Sequence, residues 1–459
     1  MTEAIAAAPP DSAGAAVVGR ISQVRLHAFK NYQSQAFNLS PLTLLVGPNG
    51  SGKSNALDAF ALMALLADER DVADLERADN TVAGLRGSLS AAAPYGSDTV
   101  SVGCSIQVPT GRFDLDIQFD VGGRQPEIQD ESLTYTNARG RVRRLFHAAR
   151  RAPGEGICDV EVYSGAQPKF MTMLTSRLVT LQAVSKVPQD TAARRSVARD
   201  CQVVIDALRN IFVLDPVPGE MRSYARIGEP PNRTGSTTSA VAYALRDDET
   251  AWPRLTNLIR GLVGEGLDSI QFAEATLPRV GTVDVMVALQ EQPSPQTLTT
   301  ASVMSDGTLR YLAIVATLLY LGRSSGGTTA ERPGARTLLI EEVENGLYPA
   351  QAAAVLDLLR RETEERGLTL IATTHSPALL DALTPDDHRG VLTCTKDSTT
   401  GQARLASLVE HPNYLSIASQ GRVGEAVAAG ELDVQPTKPP TAEAALDYLD
   451  RLTPSPEGR

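Results

Sequence analysis

Residues Gly47 to Ser54 read Gly-Pro-Asn-Gly-Ser-Gly-Lys-Ser and fit the pattern G-x-x-x-x-G-K-[ST]. They lie between an apolar run, Pro41 to Val46, that reads as a strand, and Lys53 to Ala67, which reads as a helix with Leu57, Phe60, Ala61 and Leu65 along one face. Composition alone produces such a match on the order of once in 200 chains of this length, before that context is demanded. The glycines let the backbone curl around an anion, and the helix beginning near Lys53 adds its positive dipole end. Lys53 supplies a compact charge to β- and γ-phosphates and Ser54 a hydroxyl to Mg²⁺. Arginine outnumbers lysine 37 to 6 here, a skew that fits a GC-rich coding sequence. A lysine at position 53 therefore stands against the bias, and a planar guanidinium would be too broad for the slot. The bland alternative is a glycine-rich turn with a chance lysine.

The remainder of the chain sets limits. With 459 residues, 42% hydrophobic and 21% charged, it can bury at least one large core. Cys104, Cys158, Cys201 and Cys394 are too scattered for a disulfide framework or a zinc site, which leads to the expectation of a reducing cytoplasm. Residues 1 to 19 lack a basic start and a sustained apolar stretch, so no signal peptide is expected. The best apolar run, Leu309 to Gly322, is short and contains Arg310, so no membrane association is expected. The formal charge of −11 argues against a surface that binds nucleic acid everywhere.

Along the chain, 1–19 and 434–459 read as mobile tails, the second interrupted by a short helix over Thr441 to Leu452. Between them, 20–433 reads as one globular head in three parts. Residues 20–165 hold the glycine loop and an antiparallel β lobe, with strands at Ile21 to Phe29, Val100 to Val108, Phe113 to Val121, Ser132 to Thr136 and Val160 to Tyr163. Residues 166–300 read as a helical insert, from Phe170 to Ile211 and from Ala251 to Val263, around a loop at Val217 to Thr238; no heptad repeat predicts a coiled-coil arm. Residues 301–433 alternate helix Leu309 to Leu321, strand Thr337 to Ile340, helix Ala350 to Arg366, strand Leu368 to Thr373 and helix Pro377 to Leu383, the rhythm of a parallel, helix-covered sheet.

Three further places carry chemistry. Strand Thr337 to Ile340 ends in Glu341, placed to hold Mg²⁺, and Glu342, placed to polarise an attacking water, although acids also commonly end strands. Leu368 to Thr373 ends in Thr374-His375-Ser376-Pro377, where His375 serves either a phosphate or the cap of the next helix. Ser305-Asp306-Gly307-Thr308 opens a helix as its N-cap and, in the functional reading, offers a second phosphate site. One γ-phosphate cannot easily need two such sites from one face, which points to a partner subunit.

Taken in order, these segments resemble the ABC-type ATPase heads of the RecF, SMC and OLD-like group. Gly47 to Ser54 matches Walker A, Ser305 to Thr308 the signature, Leu338 to Glu342 Walker B, Glu344-Asn345-Gly346-Leu347 the D-loop and His375 the switch histidine. The opening strand Val24 to Tyr32 and the Ser54-Asn55 pair extend the resemblance over Ile21 to Glu431. Ser305 to Arg310, Glu341 to Leu347, Leu214 to Pro218 and His411 to Asp433 look most like stand-alone OLD-like AAA-family ATPases of bacterial defence operons. Three departures stand out: Glu341 where Asp is commoner, Asp306 in place of a transporter-type glycine, and Tyr348 where His is frequent.

The resemblance implies an α/β fold: a P-loop NTPase head with a mostly parallel helix-covered sheet, an antiparallel β lobe and an inserted helical lobe. It implies ATP and Mg²⁺ as cofactors. Gly47, Pro48, Asn49, Gly50, Ser51, Gly52, Lys53, Ser54 and Asn55 would bind the nucleotide, with Ser305, Asp306 and Gly307 reaching it from a second subunit. Ser54 and Glu341 would hold the metal, and Lys53, Glu342 and His375 would act in hydrolysis. It further implies a homodimer formed through an ATP sandwich, with a higher oligomer left open, and a separately encoded effector such as a Toprim or RloB-like nuclease. No acidic nuclease cluster follows His375, so this chain is not expected to cut nucleic acid itself.

Three functions are therefore weighed: a defence ATPase controlling an effector, a RecF-type DNA-maintenance ATPase, and, least compatible with Asp306, a transporter-coupled ATPase. The segment Arg139 to Arg151, with Arg139, Arg141, Arg143, Arg144, Arg150, Arg151 and His147, reads either as a phosphate track or as a solvated helix face.

Overall fold

The computed structural model describes residues 19–76, 85–165, 167–264, 266–276, 283–291, 298–322, 337–345 and 349–431. Strands β1 (Arg20–Phe29), β2 (Tyr32–Asn38) and β3 (Leu42–Val46) lead into helix α1 (Lys53–Ala67). A meander of β4 (Thr99–Val108), β5 (Gly111–Asp120), β6 (Glu127–Asn137), β7 (Val142–Arg150), β8 (Ile157–Val162) and β9 (Lys169–Leu174) follows. Helices α2 (Val179–Lys186) and α3 (Ala192–Arg209) lead to β10 (Ile211–Leu214). The insert comprises α4 (Pro218–Met221), β11 (Ala225–Arg226), α5 (Thr238–Leu245), α6 (Ala251–Val263), β12 (Leu267–Thr276), β13 (Val283–Glu291) and β14 (Leu298–Thr300). Then come α7 (Asp306–Leu321), β15 (Thr337–Ile340), α8 (Pro349–Arg366), β16 (Thr369–Thr374), α9 (Pro377–Asp381), β17 (Val391–Lys396), β18 (Ala403–Ser407), α10 (Tyr414–Ala418) and α11 (Val423–Ala429).

The expected parallel half and antiparallel lobe form one 14-stranded sheet in the order β10-β15-β16-β3-β17-β18-β2-β1-β4-β5-β6-β7-β8-β9. The first five strands are mutually parallel, and β2 through β9 pair antiparallel in succession. Strands β17 and β18 join the halves. In the parallel part, alternate side chains enter two cores: Leu45, Leu339 and Ile371 on one face, and Leu44, Val46, Leu338, Ile340, Leu370 and Ala372 on the other. Apolar groups on both faces are what a helix-covered parallel sheet requires. This is the α/β architecture expected from the sequence, a helix-covered parallel half continuous with an antiparallel lobe, as in a P-loop NTPase.

Several expectations need correction. Helix α1 is not one-sided: Ala56, Ala59, Leu62, Met63 and Leu66 are buried beside Leu57, Phe60, Ala61 and Leu65, so it runs through the interior. The 166–300 insert is not purely helical, because β12, β13, β11 and β14 build a second antiparallel sheet. Strand β9 occupies the start of the Phe170 to Ile211 stretch expected to be helical, and β10 begins at its last residue, Ile211; runs of four to six residues are too short for their period to distinguish the two states. Gly19, placed by the sequence in a mobile tail, is buried. Residues 1–18, 434–459, and Gly346, Leu347 and Tyr348 lie outside the described residues. Among the described residues, no helix is long and apolar enough to cross a membrane. The four cysteines are buried and free.

Glu131 secures the join between the β lobe and the helices. It is fully buried, and its carboxylate accepts from the Val179 amide at 2.6 Å, the Thr180 amide at 2.7 Å and the Thr180 hydroxyl at 2.6 Å, capping α2. Burial pushes its pKa up to about 7 against the pull of these donors. Glu131→Ala strands three donors, and denaturant titration should show a loss of about 3 kcal/mol or more. The raised pKa means that the folded chain holds this proton more tightly. Its contribution to stability should therefore decline as pH rises from 4.5 to about 7, and Glu131→Gln should lack that slope.

Candidate functional site

The loop 47–54 leaves β3 and enters α1, with neighbouring strands shaping its path. A Cβ on Gly47, at φ 151°, would lie 2.3 Å from the Cys394 carbonyl oxygen of β17. One on Gly52, at φ 121°, would lie 2.8 Å from Ala403 Cβ of β18. Glycine alone permits both the backbone angle and this close approach. From beneath, the Tyr32 hydroxyl donates to the Gly52 carbonyl at 3.0 Å and the Cys394 thiol to the Ser51 carbonyl at 3.3 Å. Pro48, Asn49 and Gly50 are exposed, and Asn55 donates to Asn31 Oδ1 at 2.8 Å.

Lys53 is buried, and its Nζ donates to the Gly47 and Pro48 carbonyls at 2.6 and 3.0 Å. Burial lowers its pKa, opposed by charges that include Glu342 and Glu344. Ser51 Oγ is buried with no hydrogen-bond partner among the described residues. An oxyanion in the loop would occupy that hydroxyl and draw Lys53 off its carbonyls. The loop therefore fits a polyphosphate.

Strands β15 and β16 are adjacent and parallel, and β16 adjoins β3, so their ends converge on the loop. Glu341 is 8% exposed, and its Oε2 accepts from Arg86 Nη1 at 2.9 Å. Arg86 Nη2 also donates to the Ser54 carbonyl at 2.6 Å, and its Nε contacts the buried Asp58 at 3.1 Å. Arg233 Nη2 lies 3.8 Å from Glu341 Oε1. Burial raises the Glu341 pKa, with Arg86 pulling it down. Arg86 thus bridges the Ser54 carbonyl and Glu341; the Ser54 hydroxyl and the Glu341 carboxylate, hard oxygen donors beside a phosphate loop, suit Mg²⁺. Among the described residues there is no cluster of three or more His, Cys, Asp and Glu able to hold a metal without such a ligand.

Glu342 sits at φ 46°, unusual for a residue with a side chain. Its amide donates to Thr373 Oγ1 at 2.8 Å, and its carboxylate accepts from Asn345 Nδ2. His375 is exposed at the end of β16; its amide donates to Glu344 Oε1 at 2.6 Å and its Nδ1 lies 3.1 Å from the same oxygen. Glu344, read from the sequence only as a D-loop residue, therefore tethers the histidine.

The signature residues open elsewhere. Ser305 caps α7, with Oγ accepting from the Thr308 amide at 3.1 Å. Asp306 is exposed and paired with Arg222 at 2.6 Å, and Gly307 is buried. A hollow of about 330 Å³ beside them is lined by Ser305, Gly307, Thr308, Val303, Leu262 and Leu289 among others, and by no residue of 47–54.

The arginine segment is not a helix face. It is the strand β7, whose alternation divides its side chains. Arg143 reaches Asp200 of α3 at 2.6 Å, Arg150 pairs with Asp120 and Glu127, Arg151 with Asp159, and His147 with Asp130. Arg144 stacks over Tyr163. Arg139 and Arg141 are exposed in the β6–β7 turn. Arg86, Arg222 and Arg233 carried no signal in the sequence, because isolated residues in unpatterned stretches reveal nothing until the chain folds, and Tyr32 was read only as the end of the opening strand, not as a support of the loop.

A sequence profile of the family described as "AAA domain, putative AbiEii toxin, Type IV TA system" matches residues 42–140 and 220–381, more than half of the chain. The chain belongs to this AAA family. Its matched segments hold the glycine loop, Arg86, Arg222, the signature, the Glu341–Glu342 pair and His375. Outside the family description, the chain is 30% identical over 106 residues to the DNA replication and repair protein RecF of Acaryochloris marina (strain MBIC 11017). That match spans about a quarter of each protein, 23% of this chain and 24% of RecF. Among solved structures, the Pyrococcus furiosus Smc head domain with an extended coiled coil, bound to the C-terminal domain of ScpA, covers 87% of this chain and 99% of its own at 12% identity and TM-score 0.45. The SMC head domain from Thermotoga maritima covers 84% and 98% at 12% identity and TM-score 0.37.

Proposed function

We propose that this AAA-family protein binds ATP with Mg²⁺, closes as a homodimer around two nucleotides and hydrolyses them slowly to control a separately encoded effector in bacterial anti-phage defence. One observation carries the ATPase reading: the glycine loop, Glu341, Glu342 and His375 converge at the ends of adjacent strands, while Ser305 and Gly307 line a hollow that excludes the loop. A second copy can bring its signature to the first copy's loop.

In this reading, Lys53 leaves its own carbonyls for the phosphates, and Ser51 and the loop backbone complete the grip. Ser54 and Glu341 would hold Mg²⁺, whose charge would offset that of the phosphates. Glu342, set by its backbone angle and by Thr373, orients the attacking water. His375, held at its backbone amide by Glu344, presents its ring to the γ-phosphate as a hydrogen-bond donor. The effector would be a nuclease of the Toprim or RloB-like class. The family description's mention of a putative toxin is compatible with a conflict role. Affinity purification from the native operon tests this: a nuclease that co-elutes only with ATP supports it, and DNA as the sole companion contradicts it.

A second reading, a RecF-like ATPase that binds DNA directly, is favoured by the RecF match and by the exposed Arg139 and Arg141. If it holds, alanine at both positions should weaken duplex binding and flatten its dependence on salt by about two units of slope, one per lost phosphate contact. An unchanged slope in a fluorescence titration removes the turn from any such interface.

A further inference from the structure

We propose that Arg222 is the positioning residue of the signature, holding residues 302–306 so that Ser305 and the start of α7 face a nucleotide carried by a second copy of the chain. The proposal rests on the dimer reading above. Arg222 is the C-cap of the four-residue helix α4, at the edge of the insert. Its Nη1 donates to the Ser302 carbonyl at 3.0 Å and the Met304 carbonyl at 2.9 Å, and its Nη2 donates to Asp306 Oδ1 at 2.6 Å. One planar guanidinium thus grips three points across the turn that delivers Ser305, a task for which a fork of fixed donors is suited. The turn's other hydrogen bonds include those from the amides of Val303 and Met304 to the Thr300 carbonyl, at 3.0 and 3.1 Å, and one between the Thr300 and Ser302 hydroxyls at 2.7 Å. Ala301 and Met304 are buried and anchor the turn to the core, whereas the side chains of Ser302, Val303 and Ser305 are exposed and take no such hold from packing.

Charge supplies the second argument. Asp306 is an exposed carboxylate in the first turn of a helix whose N-terminal end would receive a phosphate. Unpaired, it would repel that anion; paired with Arg222, the two charges cancel. The same pair accounts for an aspartate where a transporter-type signature has glycine: Asp306 is a handle for Arg222.

The test uses full-length Glu342→Gln protein with ATP and Mg²⁺, following dimerisation by sedimentation. Arg222→Ala in that background should weaken the dimer by about tenfold or more, while the affinity of the dilute monomer for a fluorescent ATP analogue and the thermal midpoint stay unchanged. Arg222→Lys should recover part of the loss, as should adding Asp306→Asn, which removes the uncompensated carboxylate. If Glu342→Gln alone does not dimerise with ATP, the dimer reading falls and this proposal with it. If Glu342→Gln dimerises and Arg222→Ala dimerises equally well, the proposal alone is overturned. The same holds if Arg222→Ala lowers monomer nucleotide affinity as much as dimer affinity.

Discussion

Lys53→Ala should remove nucleotide binding while leaving the fold intact. The ammonium is the one cation that the loop 47–54 itself contributes, and it already sits within 2.6 and 3.0 Å of loop carbonyls at the place where phosphate oxygens would lie. Two charge-assisted bonds to phosphate contribute about 3 to 6 kcal/mol, so affinity should fall on the order of a hundredfold or more. Structurally the change is mild, because Lys53's described hydrogen bonds go only to Gly47 and Pro48, and the loop floor is pinned independently by Tyr32 and Cys394. Isothermal titration with ATP and Mg²⁺ checks the expectation. Near-native affinity in the variant would mean that the loop is a structural turn and not a phosphate grip.

Glu342→Gln should leave ATP binding in place and lower turnover by about 10² to 10⁴, the range expected when a positioned general base is lost. The substitution is nearly isosteric. Glu342 owes its place to backbone features, the φ of 46° and the amide bond to Thr373, which glutamine keeps. Asn345 can still donate to the amide oxygen that replaces the carboxylate oxygen it now meets. Phosphate release measured at saturating ATP reads the effect. A rate within a few-fold of the native one would remove Glu342 from the chemistry and turn attention to Glu344, the other carboxylate whose charge reaches Lys53.

How much of this was legible beforehand follows from how each residue acts. The loop, the Glu341–Glu342 pair and the Ser305 cap are local devices, in which a backbone angle, a strand end or a helix start dictates residue types within a few positions, so they could be read in order. Helix Lys53 to Ala67 and strand Thr337 to Ile340 kept their bounds, because a glycine loop begins one and a pair of acids ends the other. Devices that act across space were silent. Arg86 lies far along the chain from both Ser54 and Glu341, yet bonds to each, and Arg222 stands 84 residues before Asp306. Strands β17 and β18, which weld the parallel and antiparallel halves, are short and mix apolar with polar residues, so neither stood out as an apolar run. The β7 arginines misled for a related reason. Dense positive charge suggests a face, but a strand sends neighbours to opposite sides, and here most of them meet acids from β5, β6, β8 and α3.

In the proposed dimer, ATP joins two copies of this chain by bringing the signature of one to the loop of the other. Its most direct test is the solution mass of the Glu342→Gln protein by light scattering, with and without ATP and Mg²⁺. The expected mass is 48.8 kDa without nucleotide and twice that with it, the doubling being lost when Lys53→Ala is added. A mass that stays at the monomer value under saturating ATP, or a dimer indifferent to nucleotide, would contradict it.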